Sequence, residues 1–125
     1  PKLVLITRAG YYAKRLPARS DVVTFLVRDG QKDEVWLQRI IGLPGESVAI
    51  ESGKVLVQGK PLDEPYVSLQ NVEDDYSSRM PVVRIPAGHY FLLGDNRDNS
   101  VDSRVRGLTP REDLTGKVVG RLSGL

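Results

Sequence analysis

The dominant period of the apolar residues in this chain is two rather than 3.6, in runs too short for anything but strands. The runs cover residues 3–7, 21–27, 34–41, 47–51, 54–58, 82–85, 89–93 and 117–122. Each is rich in Val, Ile and Leu, and each is closed by Gly, Pro, Asn, Asp or Ser. A period of two puts successive side chains on opposite faces of a pleated strand, and the closing residues are those that turn a chain. Val48-Ala49-Ile50-Glu51, Ser52-Gly53 and Lys54-Val55-Leu56-Val57 read as a tight hairpin, with a second turn at Gln58-Gly59-Lys60-Pro61. No 12-residue window carries a helical face, and 12 Gly with 8 Pro oppose a helical bundle. One helical turn is expected at 111–114, after Thr109-Pro110. The reading is all-β, with coiled antiparallel β-sheets and room for a small barrel.

At 125 residues the chain reads as a single domain, 1–125, able to bury roughly two-thirds of its unfolded surface. Residues 62–81 lack strong periodicity and carry the acidic groups Asp63-Glu64 and Glu73-Asp74-Asp75, so a long surface excursion is expected there. There is no Cys, which excludes disulfides, thiolate metal sites and a cysteine nucleophile. A net charge of +2 is too small to imply nucleic acid. The longest apolar runs, such as 3–6 and 90–93, fall far short of the ~20 residues of a membrane span. The chain begins at Pro1 rather than Met, which reads as removal of an upstream segment.

The densest polar stretch is Gly94-Asp95-Asn96-Arg97-Asp98-Asn99-Ser100-Val101-Asp102-Ser103-Arg104. So many polar residues in one loop are costly to order unless they bond to one another, and loops on rigid sheets often carry function. A solvated loop with internal Asp–Arg pairs is the plain alternative. A calcium loop fits poorly, because Val101 stands where Gly is needed and Gly107 where the bidentate acid is needed. A second segment, Gln38-Arg39-Ile40-Ile41-Gly42-Leu43-Pro44-Gly45-Glu46, runs a strand into a Gly-Leu-Pro-Gly turn. Taken alone, it is only a turn.

In order along the chain, these two segments, with Gly59-Lys60-Pro61-Leu62 and Glu64-Pro65-Tyr66 between them, resemble the type I signal peptidases. Arg19-Ser20-Asp21-Val22-Val23-Thr24-Phe25 resembles a further box of that family, with Ser20 where Gly is usual. The resemblance runs from about residue 1 to 122. It implies coiled β-sheets around an SH3-like barrel, and a Ser–Lys dyad endopeptidase that removes signal peptides from exported proteins. It further implies the bacterial cell membrane, with the domain on the extracytoplasmic face, and no metal or organic cofactor.

Two departures bear on the chemistry. The family's nucleophile is a Ser in a Ser-x-Met motif, which by this comparison would lie roughly ten residues before Pro1. The family's general base is a Lys, and Gln38 stands at that position. A buried Lys can be tuned from about 10.4 toward 7–8 and take a proton, whereas a primary amide only hydrogen-bonds. The resemblance makes Ser100, Asp102, Arg104, Asp95 and Arg39 the supporting shell. Ser100 would orient the dyad Lys, and here would meet the Gln38 amide; Asp102 and Arg104 would pair. Val35, Trp36 and Leu37 map onto the strand that pairs with the signal peptide, and Trp36 fits core packing as well.

His89, the single His, alternates with Tyr90 in a strand and reads as structural. Arg8, Lys14, Arg15 and Arg19 flank Tyr11 and Tyr12 and suit a solvated hairpin end, nucleic acid or a membrane surface, and the resemblance favours the membrane surface over nucleic acid. Arg97, Arg104, Arg106 and Arg111 are largely balanced by Asp95, Asp98 and Asp102, so internal pairing is expected. Three functions compete: a signal peptidase deprived of its nucleophile, a protease-like protein that binds peptides or assists surface assembly, and a β-barrel binding module with no proteolytic ancestry. The loop 94–104 counts against the third.

Overall fold

The computed structural model of the chain describes residues 3–7 and 15–122. Ten antiparallel strands carry the fold: β1 (Leu3–Thr7), β2 (Val22–Arg28), β3 (Asp33–Gly42), β4 (Ser47–Glu51), β5 (Lys54–Val57), β6 (Lys60–Pro61), β7 (Arg79–Arg84), β8 (His89–Leu93), β9 (Thr109–Pro110) and β10 (Leu114–Leu122). Two four-residue helices, α1 (Asp75–Ser78) and α2 (Ser103–Arg106), and three short 3-10 turns complete the described residues. Six strands form one ladder in the order β1-β10-β2-β3-β8-β9, and four form a second in the order β6-β5-β4-β7.

The apolar alternation explains why two ladders make one body. In β8, Tyr90 and Leu92 turn to one side and join Val23, Phe25, Val27, Ile40 and Leu114 in a first core. Phe91 and Leu93 turn to the other and meet Ile41, Val48, Ile50, Val55 and Ile85 in a second. β3 splits in the same way at Ile40 and Ile41. A strand buried on both faces must be apolar at every position, which is why 90–93 reads as a continuous apolar run. Burying one such side chain contributes about 1.5–3 kcal/mol.

The joint between the cores is the Gly-Leu-Pro-Gly turn. The β3–β8 ladder slips between Ile40 and Gly42, and Gly42 lies where a Cβ would overlap Ile85 Cδ1 and stand 2.7 Å from Val48 Cγ2. The turn is held from outside. Arg19 donates both terminal nitrogens to Glu46, each at 2.7 Å, and one of them also to the Ile41 carbonyl. Glu46 in turn accepts the Leu43 N–H. Arg19 keeps the Glu46 carboxyl below its ordinary pKa. Next to Arg19, Ser20 adopts φ +74°, the left-handed region that favours Gly.

The all-β reading and its antiparallel sheets are found. The helical turn expected at 111–114 is the 3-10 turn Arg111–Asp113. The strand expected at 82–85 begins earlier, at Arg79, because Arg79 and Met80 continue the ladder with Glu51 and Ile50 across an irregularity. The strand expected at 117–122 likewise begins at Leu114, which pairs with Phe25. The basic–aromatic cluster read at Arg8, Tyr11, Tyr12 and Lys14 lies outside the described residues.

Two outcomes test this account. Gly42→Ala should lower unfolding free energy by about 1–3 kcal/mol in denaturant titration, since the added methyl forces the two cores apart. Glu46 has a depressed folded pKa, so its contribution is complete above the unfolded value of about 4.3 and disappears as pH falls through the lower folded value. The stability gap between the parent and Arg19→Gln should therefore narrow on acidification below about pH 4.

Candidate active site

Residues 94–107 leave the end of β8 and fold back beside β3. A loop this polar is ordered only if its charges are met, and Asp102 is the centre of that bonding. Its carboxylate, fully buried, accepts the Gly94 N–H at 3.0 Å, the Arg104 backbone N–H at 3.2 Å, and Arg104 Nε and Nη2 at 2.8 Å each. The Arg104 side chain is 2% exposed and lies over the Tyr76 ring, 4.1 Å from its centroid. Its remaining nitrogen reaches the Tyr76 carbonyl and Ser77 Oγ. Ser103 Oγ accepts the Leu92 N–H, so the start of α2 continues the edge of β8.

Around this pair sit two further bidentate Arg–carboxylate contacts. Arg97, 2% exposed, grips Glu64 with two nitrogens and the Gly94 carbonyl with Nε. Arg39 grips Asp95 at 2.9 and 2.8 Å, donates to the Ser20 carbonyl, and lies 3.9 Å from the centroid of the Tyr66 ring. Burial pushes the Tyr66 phenol up to about 12, and the Glu64 charge adds to the shift. The acidic segment before β7 therefore does more than cross the surface. Glu64, Tyr76 and Ser77 bond to this loop, Tyr66 lies against Arg39, and Asp98 accepts the backbone N–H groups of Glu73 and Asp74. The broken periodicity of that segment hid these roles, because its apolar spacing carries no core signal.

Pairing within the loop was expected for its arginines, and only Asp102–Arg104 follows that pattern. Arg97 and Asp95 go instead to Glu64 and Arg39. Arg106 has no carboxylate partner among the described residues and stands 5.1 Å from the centroid of Trp36.

Gln38 lies on β3 opposite Val23 and is half-buried. Its Nε2 donates to the Val101 carbonyl at 2.8 Å. Among the described residues no hydrogen bond joins Gln38 to Ser100. Both the N–H and the carbonyl of Ser100 are held by the Tyr76 hydroxyl, at 3.0 and 3.2 Å. The Ser100 side chain packs against Gly94, where an added Cβ would overlap its Oγ. The next carbonyl along, that of Val101, takes the amide.

The neighbours of Gln38 on β3 alternate as read. Val35 and Leu37 point outward, 61% and 48% exposed. Trp36 turns inward, edge-on to Phe25 at 6.4 Å, with its indole N–H on Glu34. The core-packing reading of Trp36 therefore holds. β3 pairs with β2 along 33–39, but with β8 only at Arg39, Ile40 and Gly42. Among the described residues, 33–38 thus have no strand on their second edge, while Val101 meets Gln38 and Arg106 meets Trp36 beside it. His89 is remote from this chemistry in its bonding: Nδ1 meets the Ala87 carbonyl within its own turn.

The carboxylate of Asp102 is the point to test. Asp102→Asn keeps the shape but leaves the Arg104 charge buried without its partner. It should cost about 3–5 kcal/mol in denaturant titration, with a smaller loss for the exposed Val101→Ala.

A family model described as signal peptidase, peptidase S26, matches residues 1–122. The chain is 37% identical over 111 residues to a signal peptidase I of Leptolyngbya laminosa, covering 84% of this chain and 52% of that protein. It is 40% identical over 114 residues to a probable signal peptidase I-2 of Synechocystis, covering 88% and 50%. The chain thus spans about half the length of these relatives. A signal peptidase IB of Staphylococcus aureus is 34% identical over 128 residues, covering 92% and 65%. The crystal structure of a signal peptidase I from Enterococcus faecalis superposes with a TM-score of 0.72 at 29% identity, covering 84% of this chain and 98% of that one. With its loop, its Gly-Leu-Pro-Gly turn and its two sheets in that arrangement, this chain belongs to the signal peptidase S26 family.

Proposed function

We propose that this domain receives the signal-peptide region of exported preproteins as an added strand on residues 33–38 of β3, and that it does not cleave what it binds. The observation that carries the reading is Gln38, an amide at the position of the family's basic Lys, beside a strand edge with no partner among the described residues. Backbone groups on such an edge give affinity, and pockets for alternate side chains give selectivity. Val35 and Leu37 offer an apolar row on one side, and Trp36 with Gln38 lines the other. An amide cannot take a proton from a serine near neutral pH, and loss of acid–base help alone costs about 10²–10⁴ in rate. Ser100, Asp102, Arg104, Asp95 and Arg39 act in this reading as the frame that fixes the Val101 side of the site.

The setting proposed is the outer face of a bacterial membrane, where family members meet their substrates. No helix among the described residues is long and apolar enough to cross a membrane. A second reading, a working peptidase, draws on the retained Asp102–Arg104 pair and the intact frame.

The test is to incubate the 125-residue chain with a synthetic signal peptide and follow both binding and cleavage. Binding without cleavage is expected. Leu37→Glu, at an exposed position, should leave stability within about 0.5 kcal/mol and weaken binding about tenfold or more, because a charge then lies on the apolar row. Cleavage by the unaltered chain would establish the second reading.

A further inference from the structure

Gln38 is more than a vacated base position. Its Nε2 is committed to the Val101 carbonyl at 2.8 Å, so the side chain bridges from β3 to the segment that borders the open edge. Oε1 has no hydrogen-bond partner among the described residues, and it is not sealed from solvent, since no buried side-chain polar atom lacks a partner. One amide N–H also remains. A primary amide with one hydrogen bond made still offers an acceptor and a donor. An ammonium offers donors only.

The place of that acceptor matters. The ladder with β8 begins at Arg39, so the unpaired edge ends at Gln38. The N–H and carbonyl of Ile40 face Asp21 and Ser20 on the β2 side. Strand alternation then turns the backbone groups of Leu37 and Val35 toward the open edge. A peptide main chain lying there runs into the bridge made by the Gln38 amide. The Val101 wall is itself rigid, because the Tyr76 hydroxyl holds both backbone groups of Ser100 and Arg104 holds Asp102.

We infer that the Gln38 carboxamide is a main-chain clamp, with Oε1 accepting one backbone N–H of a peptide bound along residues 33–38. This rests on the peptide-binding reading above and assigns position 38 a recognition role that a Lys there could not fill. The ligand class is an extended peptide with small or apolar side chains, recognised in part through its backbone.

The experiment uses the 125-residue chain, Gln38→Leu and Gln38→Lys. The probe is an end-capped heptapeptide of alternating alanine and valine. A companion set replaces each internal backbone amide in turn by an ester, which removes one N–H. Affinities are measured by calorimetry. In the parent chain, one ester position should cost about fivefold beyond its cost in either variant, the size of one neutral hydrogen bond. Gln38→Lys keeps a donor for the Val101 carbonyl, so it separates the acceptor from the bridge. The same ester profile in all three proteins would overturn the clamp while leaving peptide binding in place. A position-specific loss that persists in Gln38→Lys but not in Gln38→Leu would also overturn it, by crediting the bridge. Failure of every peptide to bind the parent chain would overturn the peptide reading and the clamp together.

Discussion

A carboxylate removed from water must be met by charge or hydrogen bonds, and Asp102 is entirely removed from water. Much of the architecture on this side of the protein follows from satisfying it. The guanidinium of Arg104 supplies two donors, and two backbone N–H groups supply the rest. One of those belongs to Gly94, so the loop must return to the end of β8; the other belongs to Arg104 itself, so α2 must start there. Arg104 then needs its own remaining groups met, and Tyr76 and Ser77 meet them from the segment before β7. Such pairs contribute little net stability against an apolar replacement, but a half-removed pair is costly. The consequence is a loop with a single arrangement, and a fixed Val101 carbonyl facing Gln38.

The second constraint is geometric. β3 and β8 form a wall shared by two cores, and alternation lets one strand serve both. β3 runs well beyond its pairing with β8, and that overhang leaves residues 33–38 with a single partner strand among the described residues. Edges of this kind are liabilities in a sheet and recognition sites in a binding protein. Here the edge is bordered by Val101 and α2 through side chains, at Gln38 and Trp36, with no ladder between them. The Arg19–Glu46 contact completes the frame, since it fixes the turn that carries β3 into the second sheet.

Much of this was legible in the residues. The strands announced themselves through period-two spacing and Gly–Pro punctuation, whereas burial of 90–93 on both faces emerged only from the structure. Internal Asp–Arg pairing was legible in the loop, and the resemblance to the family implied the Asp102–Arg104 pair. The Arg97–Glu64 and Arg39–Asp95 pairs could not be expected, because their members are 33 and 56 residues apart and several other acids were equally available. The segment 62–81 read as a surface excursion, yet it delivers Glu64, Tyr76 and Ser77 to the polar loop and Tyr66 to Arg39. Side-chain hydrogen bonds impose no periodicity, so no spacing rule reveals them.

Composition and spacing thus determined the strand class and the turn at Gly42-Leu43-Pro44-Gly45, since each depends on residue type and near neighbours. Tertiary structure decided which partner each charge takes, where β3 overhangs its neighbour, and that the Gln38 amide meets the Val101 carbonyl rather than Ser100. Those outcomes depend on distances between segments far apart in the chain, and the chain sets such distances only once both cores have closed.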